Sequence, residues 1–180
     1  MTIRIARFSR NGDDLTWADY GPRFVKLKKL CFVEFFLLKN LETHRQGKEK
    51  EISIMIKSIY SNSCGKVLVL KDYLWNAMFN SINIMIFGKS CVSSDGELDI
   101  EGRELKAILE AQFHAKELER ENNNYAYPNF LDALLSRRKE YDLSNNTISG
   151  LLWDIVTAGV DTSVVASKWG MAELLRNPMV

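Results

Sequence analysis

Cysteine, proline and histidine are all scarce: the 180 residues include 3 cysteines, 3 prolines and 2 histidines. Cys31, Cys64 and Cys91 are too few and too scattered for a disulfide framework, and their odd number fits a reducing compartment, so they read as buried thiols. His44 and His114 lie on separate segments with no Cys or His at ligand spacing, so no metal site is expected and both read as surface or packing residues. Charge of one sign is missing as well. Lys+Arg 24 against Asp+Glu 23 leaves a net charge of +1, which gives no global attraction for nucleic acid or anionic lipid. Long hydrophobic runs are absent too. The longest apolar-rich stretch, Ile148 to Val160, is interrupted by Asp154 and falls short of the ~20 residues a membrane span needs. Met1 to Arg10 carries positive charges with no apolar run behind them, so neither signal peptide nor anchor is expected and the chain would be cytoplasmic.

The composition that is present, 46% hydrophobic and 26% charged, is that of a globular chain with one domain as the default. Only Pro22, Pro128 and Pro178 interrupt it, leaving long intervals in which helices can run. The pattern predicts a mainly α fold. A basic helix runs from Arg23 to about Phe32 after the turn at Tyr20 to Pro22, and a second from Leu41 to about Asn62, with Ile52, Met55, Ile56 and Ile59 at helical spacing. Val67 to Leu70 is β-like but short. Tyr73 to Phe87 places Leu74, Ala77, Met78, Ile82 and Met85 on one broad face, with Gly88 as its C-cap. Glu101 to Glu121 is a charged amphipathic helix, 122–128 a polar linker, and Phe130 to Tyr141 a further short helix.

The last segment is the most informative. Asp142 to Ser144 supplies capping side chains, and a helical pattern then runs from Asn145 to about Arg176, stopped by Asn177-Pro178. About 30 residues at ~1.5 Å each make ~45 Å, longer than a small domain is wide. Within it lies Ala158-Gly-Val-Asp-Thr-Ser163. Ala158 and Thr162 are four apart and share a face with Ile155 just before them, while Gly159 removes the side chain that would keep a flat ligand away. Asp161 and Thr162 put a carboxyl and a hydroxyl beside that gap, a pair suited to proton delivery. The competing reading is a helix crossing in which small residues permit close packing and Thr162 bonds a carbonyl one turn back.

Gly150-Leu-Leu-Trp-Asp-Ile-Val-Thr-Ala-Gly-Val-Asp-Thr-Ser163, followed by Trp169-Gly-Met-Ala-Glu-Leu-Leu-Arg-Asn-Pro178, resembles the oxygen-binding I helix of cytochrome P-450 monooxygenases. It is similar in particular to the plant family that 3′-hydroxylates p-coumaroyl esters of shikimate and quinate in lignin and phenylpropanoid synthesis. The resemblance extends to Phe8-Ser-Arg-Asn-Gly12, to Asp14 through Pro22 with Val25-Lys-Leu-Lys-Lys29, to Phe87-Gly-Lys89, and to Phe130 through Leu135 with Tyr141 through Ser144. It implies a partial cytochrome P-450 fold, from the C to the I helix region, with the long central helix at its C-terminal end. By that resemblance Gly159 opens the helix over a haem, Thr162 bonds the oxygen species, Asp161 relays protons, and Ile155 and Ala158 line the substrate side. Phe24 and Lys28 match the aromatic and basic positions that meet a haem propionate, with Lys in place of the usual Arg. The implied partners are an NADPH-dependent reductase and a small aromatic ester, at the cytosolic face of the endoplasmic reticulum.

The departures are as informative. The family's Cys-containing haem loop has no counterpart, since none of Cys31, Cys64 or Cys91 has its context, and the axial thiolate is therefore missing. Glu-x-x-Arg, also a family motif, occurs as Glu42/Arg45, Glu117/Arg120 and Glu173/Arg176, none in the family's position, and all read as surface i,i+3 ion pairs. Between Glu110 and Phe130 the chain is far shorter than its relatives. The expectation is a single incomplete domain over 1–180, without an N-terminal anchor, without the haem-Cys half, and inactive by itself. A non-enzymatic helical remnant that exposes apolar faces and binds a partner is the competing expectation. Arg23, Lys26, Lys28 and Lys29 read as a solvated face, and Asn145-Asn-Thr147 as a capping sequence in preference to a glycosylation acceptor.

Overall fold

With so few prolines and a Gly at the right place to stop a helix, the chain folds as helices. The computed structural model describes residues 14–62, 65–91, 109, 111, 113–114 and 129–178. Among these the elements are α1 (Pro22–Cys31) with a π-helical turn (Phe32–Phe36), α2 (Leu38–Thr43), α3 (Arg45–Asn62), α4 (Leu70–Phe87), α5 (Phe130–Ser136), α6 (Arg138–Tyr141) and α7 (Asn145–Arg176). Pro22 begins α1, where its missing N–H costs nothing. The π turn leaves carbonyls without helical partners, and Asn40 Nδ2 answers two of them, donating to Val33 O at 3.1 Å and to Glu34 O at 2.8 Å.

Several expectations are corrected in detail. The helix expected from Leu41 is broken at His44, so α2 and α3 are separate. Val67 to Val69 pairs with no strand among the described residues and is solvent-exposed at Val67 and Val69, because a β-like run without a partner strand has nowhere to place its hydrogen bonds. Leu70 instead opens α4, three residues earlier than its expected start. The stretch expected as one helix from Phe130 to Tyr141 divides at Arg137. Of the helix expected over Glu101 to Glu121, Leu109 and Phe113 are described, four apart and both in the core, and the rest, with Cys64 and the 122–128 linker, lies outside the described residues.

α4 is the centre of the bundle, packed against α3, α5 and α7. It buries Leu74, Ala77, Phe79, Met85, Ile86 and Phe87, but also Asn76, Asn80, Ser81 and Asn83, so its burial runs round the helix and is not confined to one face. Gly88, at φ 77, stops it and donates its N–H to Ile84 O at 2.9 Å. α3 meets α4 through Gly47, where a Cβ would stand 2.9 Å from Ile84 Cγ2. Its one buried residue is Glu51, while Ile52 and Ile56 face solvent. Glu51 accepts hydrogen bonds from Asn80 Nδ2 at 3.0 Å and from Ser90 Oγ at 2.5 Å, which ties α3, α4 and the residues after Gly88 together.

The 32 residues of α7 make a rod of ~48 Å. Ser144 caps it, accepting from Thr147 N–H at 3.0 Å, and Thr147 is itself fully buried. Thr147, Ile148, Gly150, Leu151, Leu152, Val156, Val160 and Val164 are buried; beyond Val164 no described residue is. By length and composition α7 would suffice to cross a membrane, although the apolar stretch from Ile148 to Val160 alone would not. Its first half packs as a core helix.

Candidate functional site

Helical geometry sends the residues of the Ala158 to Ser163 group to different sides of α7. Gly159 faces α4, and a Cβ placed on it would stand 2.5 Å from Ile82 Cδ1. The missing side chain is therefore what allows the two longest apolar helices to cross closely. Ile155, one turn earlier, is half-buried and packs on the same core. Ala158, Asp161 and Thr162 lie on the exposed side. The Thr162 hydroxyl donates to Ala158 O at 2.6 Å, which fixes its rotamer and leaves both oxygen lone pairs facing outward as acceptors. The group thus combines the close crossing with an open face bearing a carboxylate and a hydroxyl.

Phe24 and Lys28 come together on α1, with Lys28 Nζ 5.9 Å from the Phe24 ring centroid, an exposed cation over a half-buried aromatic face. Arg23 Nη2 donates to Thr147 Oγ1 at 3.0 Å, and Lys26 Nζ donates to Glu140 O at 2.9 Å while lying over the Tyr141 ring. These bonds seat α1 beside the first turn of α7 and against α6. Thr147 is twelve residues, ~18 Å along the axis, from Gly159. No hydrogen bond or ion pair among the described residues joins Phe24 or Lys28 to the Ala158 to Thr162 group.

Asp154 has a role that sequence reasoning missed. Its carboxylate accepts from the backbone N–H of Leu15 at 2.7 Å and of Thr16 at 3.2 Å, and from Thr16 Oγ1 at 2.7 Å. It pins the segment before α1 to the first third of α7. An acid in the midst of an apolar stretch was the available signal. Glu34 is a second such case, receiving Arg137 Nε at 2.6 Å across 103 residues of sequence; the guanidinium is held above its usual range by that bond and charge and by Glu140.

Of the cysteines, Cys31 and Cys91 are described, and neither is poised as a metal ligand. Burial pushes the Cys31 thiol up to about 12, with the Asp154 charge adding to the effect. Cys91 is half-buried and not fully buried as expected; its S–H lies 3.7 Å from Lys89 O and its N–H donates to Asn80 Oδ1 at 3.1 Å. Glu42 with Arg45 at 3.7 Å, and Glu173 with Arg176 at 3.5 Å, are exposed i,i+3 pairs; Glu117 with Arg120 lies outside the described residues.

Comparison with known proteins gives a consistent family. The Cytochrome P450 family profile matches residues 102–180. Cytochrome P450 98A1 of Sorghum bicolor and Cytochrome P450 98A2 of Glycine max are each 37% identical, over 97% of this chain and 43% of their own length. The Flavonoid 3',5'-hydroxylase of Solanum melongena is 25% identical over 94% of this chain and 41% of its own. The chain therefore spans less than half the length of the curated relatives it matches. The first of those alignments runs over 222 positions, more than the 180 residues present, so that relative carries internal segments with no counterpart here. Among solved structures, a zebra fish cytochrome P450 with progesterone matches at a TM-score of 0.77 and 19% identity, covering 99% of this chain and 50% of that one. Another, with abiraterone, matches at 0.73 and 21%, covering 99% and 47%.

Proposed function

We propose that this chain, which is cytochrome P450 in sequence and in fold over about half that family's length, is the oxygen-side half of a haem-dependent monooxygenase acting on the aromatic ring of p-coumaroyl esters, and that it is inactive alone. The observation that carries the reading is the open face of α7, where Asp161 and Thr162 stand side by side and uncovered. The described residues do not fit a haem iron. Cys31 stays a protonated, buried thiol and Cys91 is turned to a backbone carbonyl, so neither offers the thiolate that pushes electron density toward the oxygen.

What the chain's own residues contribute is a wall. Asp161 and Thr162 are the proton-handling pair on the open face, Ala158 and Ile155 border the place for substrate, Gly159 keeps the helix close to α4, and Phe24 with Lys28 supplies an aromatic and a positive charge for the cofactor's carboxylates. The electron donor in this reading is an NADPH-dependent reductase at the cytosolic face of the endoplasmic reticulum. The test is the reduced, CO-treated absorption spectrum of the purified chain with added haem. The expected outcome is no thiolate-type band; such a band overturns the inactivity.

A second reading, a non-enzymatic chain that binds a partner, is favoured by the end of α7. Trp169 is 64% exposed and Leu175 77%, with Val165, Met171 and Leu174 also open to solvent. Replacing Trp169 and Leu175 together by Gln is expected to lower hydrophobic-dye binding and self-association without lowering the melting temperature. Unchanged association in that double variant counts against this reading.

A further inference from the structure

Away from the open face of α7, a cavity of about 220 Å³ lies between the π turn, α2, the end of α4 and the start of α5. Its described lining includes none of α7. The floor is apolar: Phe35 and Phe130 meet edge to face with ring centroids 5.0 Å apart, and Met85 and Ala133 lie beside them. The rim is polar. Glu34, Lys39 and His44 border it, and their charges are unequal in consequence. The Glu34 carboxylate is committed to Arg137 at 2.6 Å, so it does not dominate the cavity's potential. His44 is held below its ordinary range, first by burial and then by Lys48, so it is neutral near pH 7 and offers a hydrogen bond in place of a charge. Lys39 is exposed and borders the mouth. An apolar cavity of ~150 Å³ is enough for a benzene ring, and this one exceeds that by room for one small polar substituent.

We propose that this cavity is a binding site for a single-ring aromatic carboxylate, with the ring on the Phe35, Phe130 and Met85 floor and the carboxylate at Lys39 and His44. The aromatic floor selects a planar ring over an aliphatic chain, and the one uncommitted cation on the described rim selects an anion. This site is independent of the reading given above for α7.

The test uses the full chain, titrated with benzoate and observed by NMR through methionine labelled at its methyl carbon. Met85, identified by loss of its signal in Met85→Leu, reports ring currents from an aromatic ligand in contact with it. Benzoate is expected to shift the Met85 methyl. Lys39→Gln, a surface change, is expected to weaken binding by about tenfold, the effect of losing one charge-assisted bond, and benzyl alcohol to bind more weakly than benzoate by a similar factor. Ala133→Leu is expected to fill the cavity and abolish the shift. An unmoved Met85 methyl, wild-type affinity in Lys39→Gln, or equal affinity for benzyl alcohol overturns the proposal; if Ala133→Leu does not fold, the Lys39 and benzyl alcohol results decide.

Discussion

Burial holds the Cys31 thiol protonated up to about 12, and the Asp154 carboxylate acts in the same direction. In the unfolded chain the same thiol ionises near 9. Between these values the unfolded state binds fewer protons than the folded one, so Cys31 costs stability as pH rises from 9 toward 12 and has no such effect below 9. Urea unfolding followed at pH 8 and at pH 10.5 is expected to show a larger loss of stability in the native sequence than in Cys31→Ala. An equal loss in both contradicts the burial of that group. This much was legible: a lone cysteine at the end of an amphipathic helix reads as a core thiol. Glu51 was not legible, because Ile52, Met55, Ile56 and Ile59 advertise an apolar face on α3. The helix instead turns Gly47 and Glu51 to α4 with Met55 half-buried one turn on, so close backbone approach and two hydrogen bonds to Glu51 supplement a small apolar contact. A hydrophobic pattern reports which side chains prefer to leave water; it carries no information on a polar partner that arrives from a distant helix.

The crossing of α4 with α7 is where element geometry and site chemistry meet. Gly159 costs ~1 kcal/mol of helix propensity relative to Ala, and the contact at Ile82 Cδ1 is the reason its hydrogen is kept. Gly159→Val places a branched side chain against Ile82 and is expected to destabilise the chain by ~1–3 kcal/mol. Ile82→Ala in the same chain is expected to recover much of that loss, since it removes the atom the new side chain meets. A double-mutant cycle by thermal melting reads the coupling, and additive effects would mean that the two helices do not cross at these residues. The existence of α7, its cap at Ser144 and its end near Asn177 were all legible from capping residues and Pro178. Which side of it Gly159 occupies was not, because small residues serve a ligand gap and a helix crossing equally well. The break at Arg137 was hidden because Leu134 and Tyr141 keep helical spacing across it, and the break at His44 because the polar run between Leu41 and Ile52 contains no proline to mark it.

At the scale of the whole molecule, the described helices cover only the first part of their longest member. α4 and α5 pack on α7, whose buried residues run from Thr147 to Val164, α1 reaches its first turn through Arg23, and the apolar residues after Val164 stand in water. From Val164 to Leu175 the apolar side chains fall on nearly every side of the helix, a pattern that belongs to a helix enclosed by protein. The coverage of relatives agrees, at 43% of the first curated chains and about half of the matched structures. Composition alone, at 46% hydrophobic, suggested a self-sufficient domain; the distribution of those residues along α7 gives a different result. Amide hydrogen exchange along α7 tests this most directly, because protection follows local packing and coverage. The expected profile is strong protection from Ile148 through Val164 and exchange faster by orders of magnitude from Ala166 through Arg176. Uniform protection to Arg176 would contradict it.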